Sequence, residues 1–472
     1  MLDVISLLNA PAPWETHDAA APLTADFAAI LALWPGTAAD FFKTSGPAEE
    51  AVRAARFQAP GLVFGDAAEQ KGLAPGTLGA LQAEVSALSG KPTPRRLVLS
   101  GAIRWDGTLH IDDVTGVTLD FSAARIELAQ ADAPLIRITR SRKVTLRGLR
   151  VGQRNRTVLD IAASSDVALT DSAIAGSADA AVRVSGGAVR VLIDRCAFVR
   201  NIGTAISLAG EVAGMIIARS AFDGPSRHAF IEAATVQSAR GFAAAEPGAR
   251  DALTRMHPTG VRVLENRFGT SDAPAIRAKG TLGLWIERND FTGSDSGVLE
   301  MEGPALGLML EGNRIQAPRG TGAPLVQLAD LALACVFRNI IEPAGQVALS
   351  MTGAFGGVLI AGNTMMIPAG PTGAAAVAAI RLASATYAGF LSTTIMLNII
   401  RGPFGSGIVI TGAVPRLFLF DNHLFGMTDW SLEARVPQPM ATSMNNWSPV
   451  KSLNLPLSEA LIDVARMVRN DG

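Results

Sequence analysis

The chain has 472 residues, 49% hydrophobic but only 6% aromatic and 18% charged, and its 41 basic and 42 acidic residues leave a formal charge of −1. Without a lysine or arginine run, this balance excludes nucleic acid and an anionic bilayer as expected partners, and no window approaches the ~18 uncharged apolar residues of a membrane span. A large core is available, and Ala, Val, Ile and Leu must fill it, which suits thin repeated layers better than one thick one.

In chain order, the opening MLDVISLLNAPAPW carries Asp3, no basic leader and too short an apolar run for a signal peptide. Residues 1–76 follow no repeat. Thr24 is placed to cap a helix through Leu33, stopped by Pro35-Gly36. A second helix is expected from Pro47 to Phe57, with proline in its first turn. The Gly/Pro-punctuated stretch from Ala59 to Gly76 reads as a connector. Next comes a helix with Leu78, Leu81, Val85 and Leu88 on one side, suited to plug the open end of a stack.

From about residue 96 one pattern recurs: an apolar residue, two variable ones, Asn, one variable, then a large apolar residue. It reads Val263-Asn266-Phe268, Ile286-Asn289-Phe291, Leu310-Asn313-Ile315, Val336-Asn339-Ile341, Ile360-Asn363-Met365, Ile395-Asn398-Ile400 and Leu419-Asn422-Leu424. Successive asparagines lie 23, 24, 26, 24, 35 and 24 residues apart, and upstream Ser172, Cys196 and Ser220 occupy the same slot. A period near 24 with short alternating strands is the signature of a β-solenoid. The repeated Asn then reads as a structural ladder, each amide bonded to its copies in neighbouring coils. A second strand keeps the same phase, from Leu135–Thr139 through Ala275–Lys279 and Val298–Glu302 to Ala379–Leu382.

The stretch GALQAEVSALSGKPTPRRLVLSGAIRWDGTLHIDDVTGVTLDFSAARIEL resembles the opening of right-handed parallel β-helix proteins of the pectate-lyase-like superfamily, with its amphipathic helix, first strand, glycine turn and V-T-L-D-F-S-A-A-R-I coil. The resemblance covers about residues 77–447 and implies an all-β fold of about 12 coils. It leaves activity open, because the superfamily holds lyases, hydrolases, epimerases and phage tailspikes. The Asn-Thr-Asp, His-Gly and Arg-x-Lys motifs of polygalacturonases and the Asp-Pro-His of mannuronan epimerases are missing, as is the acidic calcium cluster of pectate lyases. No cofactor or metal motif replaces them. Cys196 and Cys335 stand alone and read as small core residues.

Outward positions of the second strand read Arg137, Asp160, Arg183, Ser207, Glu232, Arg277, Glu300, Gln327, Ser350 and Arg381, with Lys279 and Glu302 beside them. Stacked about 4.8 Å apart, they make a polar stripe. Superfamily saccharides commonly lie on such a stripe; its plainer reading is a ladder of alternating charge. Glu232 and Glu300 fall two rungs apart, roughly 9–10 Å, near the spacing of an inverting glycosidase's acid and base. They are the catalytic candidates, but Arg277 between them favours ionised carboxylates, and a general acid needs the opposite.

After Glu232 about 26 residues interrupt the repeat, where binding loops usually sit on a solenoid. They bring Arg255 and His257 toward Arg227 and His228, and with Arg277, Lys279 and Glu302 these are the expected glycan-binding residues. The rival reading is a solvated loop without a special role. The uncharged lengthening at Met366–Ala376 points to packing against another subunit, and Trp105, Trp285 and Trp430 are candidates for stacking on sugars.

After Trp447 the repeat fades, and Ser458 is placed to cap a helix bearing Leu461, Val464, Ala465 and Val468. The chain thus divides into an N-terminal attachment or capping segment (1–76), the β-helix (77–447), and a C-terminal cap or oligomer-contact helix (448–472). Resemblance to tailspikes and the missing motifs favour a glycan-binding spike on a phage or virus-like particle. It would be a homotrimer held to the larger particle through its N-terminal segment, recognising a cell-surface polysaccharide. The alternatives are a lyase or hydrolase acting on an acidic polysaccharide, secreted by a non-classical route, and a purely structural solenoid.

Overall fold

The computed structural model describes residues 69–448 except 92–93, 129–133, 153–154, 225, 235–256, 292–296, 304, 318–321, 368–375, 385–391, 415, 437, 439–440, 445 and 447. The expected helices at 24–33, at 47–57 and after Ser458, together with Trp447, lie outside the described residues. Within them the chain is an all-β parallel solenoid of about 13 turns.

A full coil has three strands, as in Ile276–Lys279, Leu282–Glu287 and Asp290–Phe291. Each pairs in parallel with its counterpart one coil on: Ile276 with Leu299, Leu284 with Leu308, Phe291 with Ile315. Alternation sends every second side chain inward. Ile138, Ile161, Val184, Leu208, Ala233, Ala278, Met301, Leu328, Met351 and Leu382 form one buried column in register. On the third strand, Phe198, Phe222, Phe268 and Phe291 stack with ring centroids 5.1, 4.8 and 4.6 Å apart. Even with few aromatics, an in-register column lets each ring meet its neighbour at stacking distance.

The corner between second and third strands explains the repeated Asn. The residue before it takes a left-handed backbone, including Glu265 (φ 54°), Arg288 (φ 53°), Arg338 (φ 54°) and Leu397 (φ 56°). Such a turn leaves buried peptide groups that the sheet ladder cannot reach, and the amide column satisfies them. The Asn289 backbone N–H and Nδ2 both donate to Asn313 Oδ1, at 2.9 and 3.0 Å, while Nδ2 also donates to the Val263 carbonyl at 2.9 Å. Its own Oδ1 accepts from the backbone N–H and Nδ2 of Asn266, at 2.9 and 3.1 Å. Both donors and both acceptor sites of the amide are therefore used. The scheme runs to Asn446, one rung beyond the sequence pattern, where Asn422 Nδ2 donates at 2.8 Å. Upstream, Ser220 N–H donates to Asn266 Oδ1 (2.9 Å), and Cys196 N–H to Ser220 Oγ (3.1 Å).

Added length does not break the column. Asn363 and Asn398 are 35 residues apart and still bond at 2.9 Å, as do Ser220 and Asn266, 46 apart. The coils on either side of each insertion keep the same register.

At the N-terminal end, the helix Leu78–Ser86 is capped by Thr77, whose hydroxyl accepts from the Ala80 N–H at 3.3 Å. Leu78, Leu81, Val85 and, just beyond it, Leu88 are buried in the core, as the sequence predicts. Ahead of the helix the structure differs from the sequence reading. Glu69–Leu73, taken for part of a connector, is a strand paired with residues 95–99; its EQKGL sequence is too polar to show the alternation that marks the other strands. Both cysteines are buried, and burial pushes each thiol up to about 12, so they are inert core residues.

Outside the tube, charged residues also align in ladders. Asp166 bonds Arg190 at 2.6 Å and pairs with Arg142 at 3.5 Å; Asp171 bonds Arg195 at 2.7 Å and pairs with Arg147 at 3.4 Å. The hydrogen bond from Arg190 holds the Asp166 carboxyl below the usual carboxylate range, and the one from Arg195 does the same for Asp171.

Two outcomes follow. Replacing Asn339 by leucine orphans the Asn313 N–H, one Asn313 Nδ2 donor and the Leu310 carbonyl. At about 1–3 kcal/mol per stranded group, partly relieved by relaxation, a loss near ~4 kcal/mol is expected in urea unfolding. An unchanged midpoint would remove the ladder from the account of stability. Asp166 has a depressed folded-state pKa, so it adds stability above its unfolded pKa near ~3.9, lost as pH falls through the folded value. The stability difference between the native chain and Asp166→Asn should be largest near neutrality and close at about pH 2; a difference independent of pH would contradict the pairing.

Candidate functional site

The first strand of each coil, which is the second of the two repeated strands recognised in the sequence, places its outward residues in a single row. Register pairs Arg137 with Asp160, Asp160 with Arg183, Arg183 with Ser207, Ser207 with Glu232, Glu232 with Arg277, Arg277 with Glu300, and Glu300 with Gln327. Ser350 and Arg381 continue it. The stripe read from the sequence is a physical row on one face of the solenoid.

Part of this row lies in a groove of about 330 Å³. Its floor is Arg277, Glu300 and Gln327, with Leu299 beneath. The turns that precede the first strands form its walls: Asp272, Ala273 and Pro274 from one coil, Ala323 and Pro324 from another, with Arg227 at the side. Rigid strands thus set the spacing of the polar groups, and the turns supply the depth.

Arg277 Nε donates to Glu300 Oε2 at 2.7 Å, their side chains being 40% and 24% exposed. A guanidinium has five N–H donors, so this pairing fixes its plane and leaves donors for a ligand. Glu232, one rung away, forms no ion pair among the described residues; its Oε2 accepts from Thr204 Oγ1 at 3.3 Å. Arg277 therefore pairs with one of the two candidate carboxylates, not both. Lys279 and Glu302 pair at 3.1 Å two residues along the same strands, outside the groove lining.

The remaining candidates fall in different places. Arg227 lines the groove; exposed His228 is next to it but not in the lining. Arg255 lies outside the described residues. His257 is buried at 4% exposure, and its Nδ1 bonds the Gly280 carbonyl. Burial pushes its imidazole below the ordinary histidine range. It packs between coils, which removes it from the ligand-facing surface expected of it. Trp105 is fully buried, with Nε1 donating to the Gly107 carbonyl at 3.1 Å, which removes it as a stacking platform, and half-buried Trp285 carries the Arg262 guanidinium over one ring face at 3.8 Å. No cluster of three or more metal-ligating side chains occurs among the described residues.

Sequence reasoning passed over Asp272, Pro274 and Pro324. They sit in turns of unequal length, where the repeat carries no phase. Gln327 belongs to the predicted row, where an uncharged side chain gives no signal of its own.

The class that this architecture defines is the parallel β-helix with a polar groove along one strand row. No protein-family model matches the chain, and no curated protein matches it. Solved structures similar to it in shape are pectate-lyase-like β-helix proteins. They include the A-module of the mannuronan C-5 epimerase AlgE4 of Azotobacter vinelandii (TM-score 0.48, 15% identity, 79% of this chain and 97% of that one). The surface adhesin PfbA of Streptococcus pneumoniae is another (TM-score 0.49, 14% identity, 75% and 87%). A third is the Dettilon tailspike protein (TM-score 0.40, 13% identity, 76% and 65%). At these identities and TM-scores the likeness assigns no role, and both the fold and the chemistry of the groove rest on this chain's own strands and residues.

Half-exposed ion pairs contribute little to stability, typically under about 1 kcal/mol. Arg277→Ala and Glu300→Gln are therefore each expected to keep the native thermal midpoint to within about 2 °C. A fall of about 8 °C or more would make the pair part of the scaffold.

Proposed function

We propose that the protein is a glycan-binding spike whose groove at Arg227, Arg277, Glu300 and Gln327 holds a segment of a cell-surface polysaccharide. The carrying observation is the floor. Three consecutive rungs present a cation, an anion and an amide at one spacing, between walls rich in alanine and proline. Hydroxyl-rich polymers need donors and acceptors repeated along a line, with apolar ledges for their C–H faces. A rigid row whose side chains are already oriented binds without a large ordering penalty.

Binding rather than cleavage is favoured because Arg277 engages Glu300, while Glu232 sits a rung outside the groove lining. The same reading places the chain on a phage or virus-like particle, attached through residues 1–76, as a homotrimer. Support for self-association comes from a second apolar cluster separate from the core: Cys335, Phe337, Ala361 and Met396, with the partly exposed Met309, Leu359 and Phe420 against it.

Titrating the full chain against a panel of bacterial surface polysaccharides tests the main claim. At least one polymer should bind, and Arg277→Ala should weaken it by about tenfold or more, the scale of a lost charge-assisted hydrogen bond. No new reducing or unsaturated ends should appear. Release of such ends, abolished in Glu232→Gln and Glu300→Gln, would instead establish a lyase or hydrolase. For the assembly, light scattering is expected to give three chains per particle, and Leu359→Glu should lower that number.

A further inference from the structure

The charges around the groove carry the proposal one step further, to the class of polysaccharide; the step rests on the glycan-binding reading above. Among the described residues, Arg227, Arg277, Asp272 and Glu300 line the groove, and Lys279, Glu302 and Glu232 lie just outside it. Two of the cations are already neutralised: Arg277 by Glu300 at 2.7 Å and Lys279 by Glu302 at 3.1 Å. Nearest along the row on one side is Glu232, a carboxylate without a cation partner among the described residues. On the other side the row continues as Gln327 and Ser350, both uncharged, before Arg381, which donates to the Ser350 hydroxyl four rungs from Arg277. Among the described residues Arg183 is the next cation in the row before Glu232, and it stands three rungs from Arg277, roughly 14 Å.

A site built for an acidic polymer needs surplus cations, because each carboxylate loses its water and must find a partner. Among the described residues the groove lining has no such surplus, Arg227 and Arg277 being matched by Asp272 and Glu300. A uronate in the groove would meet one guanidinium already engaged, that of Arg277, and one at the side, that of Arg227, with Glu300 and Asp272 in the same lining and Glu232 a rung away. Hydroxyl groups face no such obstacle: they donate to the carboxylate oxygens and accept from the remaining guanidinium and amide N–H donors. A paired carboxylate and guanidinium on adjacent rungs suits two neighbouring hydroxyls of one sugar.

We infer that the ligand is an uncharged polysaccharide segment, recognised through hydroxyl hydrogen bonds to the Arg277–Glu300 pair and Gln327, and that acidic glycans are disfavoured.

The test uses the full chain on an array of neutral polysaccharides and of uronic-acid polymers, each acidic polymer printed beside its carboxyl-reduced form. Neutral or carboxyl-reduced polymers should bind about tenfold or more above every acidic parent. Their affinity should change less than about twofold between ~50 and ~500 mM NaCl, since no net charge is neutralised on binding. In Glu300→Gln, which leaves Arg277 uncompensated, binding of acidic parents should rise about threefold or more and become salt-sensitive. Equal or stronger binding of the acidic parents by the native protein overturns the inference and leaves the glycan reading standing. Silence across the whole array overturns both.

Discussion

Axial register is the constraint on which this molecule depends. A parallel solenoid holds together only if every coil places its three strands directly against those of the coil before it, because each strand's peptide groups find partners only there. The column from Asn266 to Asn446 enforces that registration at the corner where the backbone is least able to do so. Each amide as far as Asn422 is bonded on both sides and also to a carbonyl of its neighbouring coil, as Asn289 is. A slip of one residue would strand all of these groups at once and turn the inward column outward. The apolar columns add burial energy, but a row of Ile and Leu tolerates small displacements; an amide with four bonds does not.

Function follows from the same registration. Residues two dozen positions apart become neighbours, so the chain can write a row of chemistry using one residue per coil. Depth comes from elsewhere, from the turns at Asp272–Pro274 and Ala323–Pro324 that rise beside the row. Strand positions therefore fix which groups the proposed groove presents, and the turns fix where along the row it is deep. Register survives the large insertion after Ala234, since Ser220 and Asn266 still bond across it.

How far the sequence reveals this depends on whether a feature is periodic. The Asn slot, the outward row and the plugging helix were legible because each repeats or alternates with a known period. Glu69–Leu73 was not, being polar and single. The groove walls were not, because turns of unequal length carry no phase. His257 shows a subtler failure. Its surroundings of arginines and an inserted loop suggested a ligand-facing residue. Yet Thr259 pairs with Leu282, which puts His257 in the same turn slot as Gly280, whose carbonyl it bonds. Counting the period, rather than the charge nearby, would have placed it inside. Likewise, the sequence shows Arg277 between Glu232 and Glu300 without showing which it engages, because that choice belongs to rotamers rather than to spacing.

The most direct measurement of the central claim is a pair of double-mutant cycles on unfolding free energy. Asn313 and Asn339, adjacent rungs bonded at 2.9 Å, should show a coupling of at least about 1 kcal/mol when both become alanine. Asn289 and Asn398, which three intervening rungs separate, should be additive to within about 0.5 kcal/mol. Coupling that is absent between neighbours, or equal for both pairs, would contradict an amide column that passes its bonds from coil to coil.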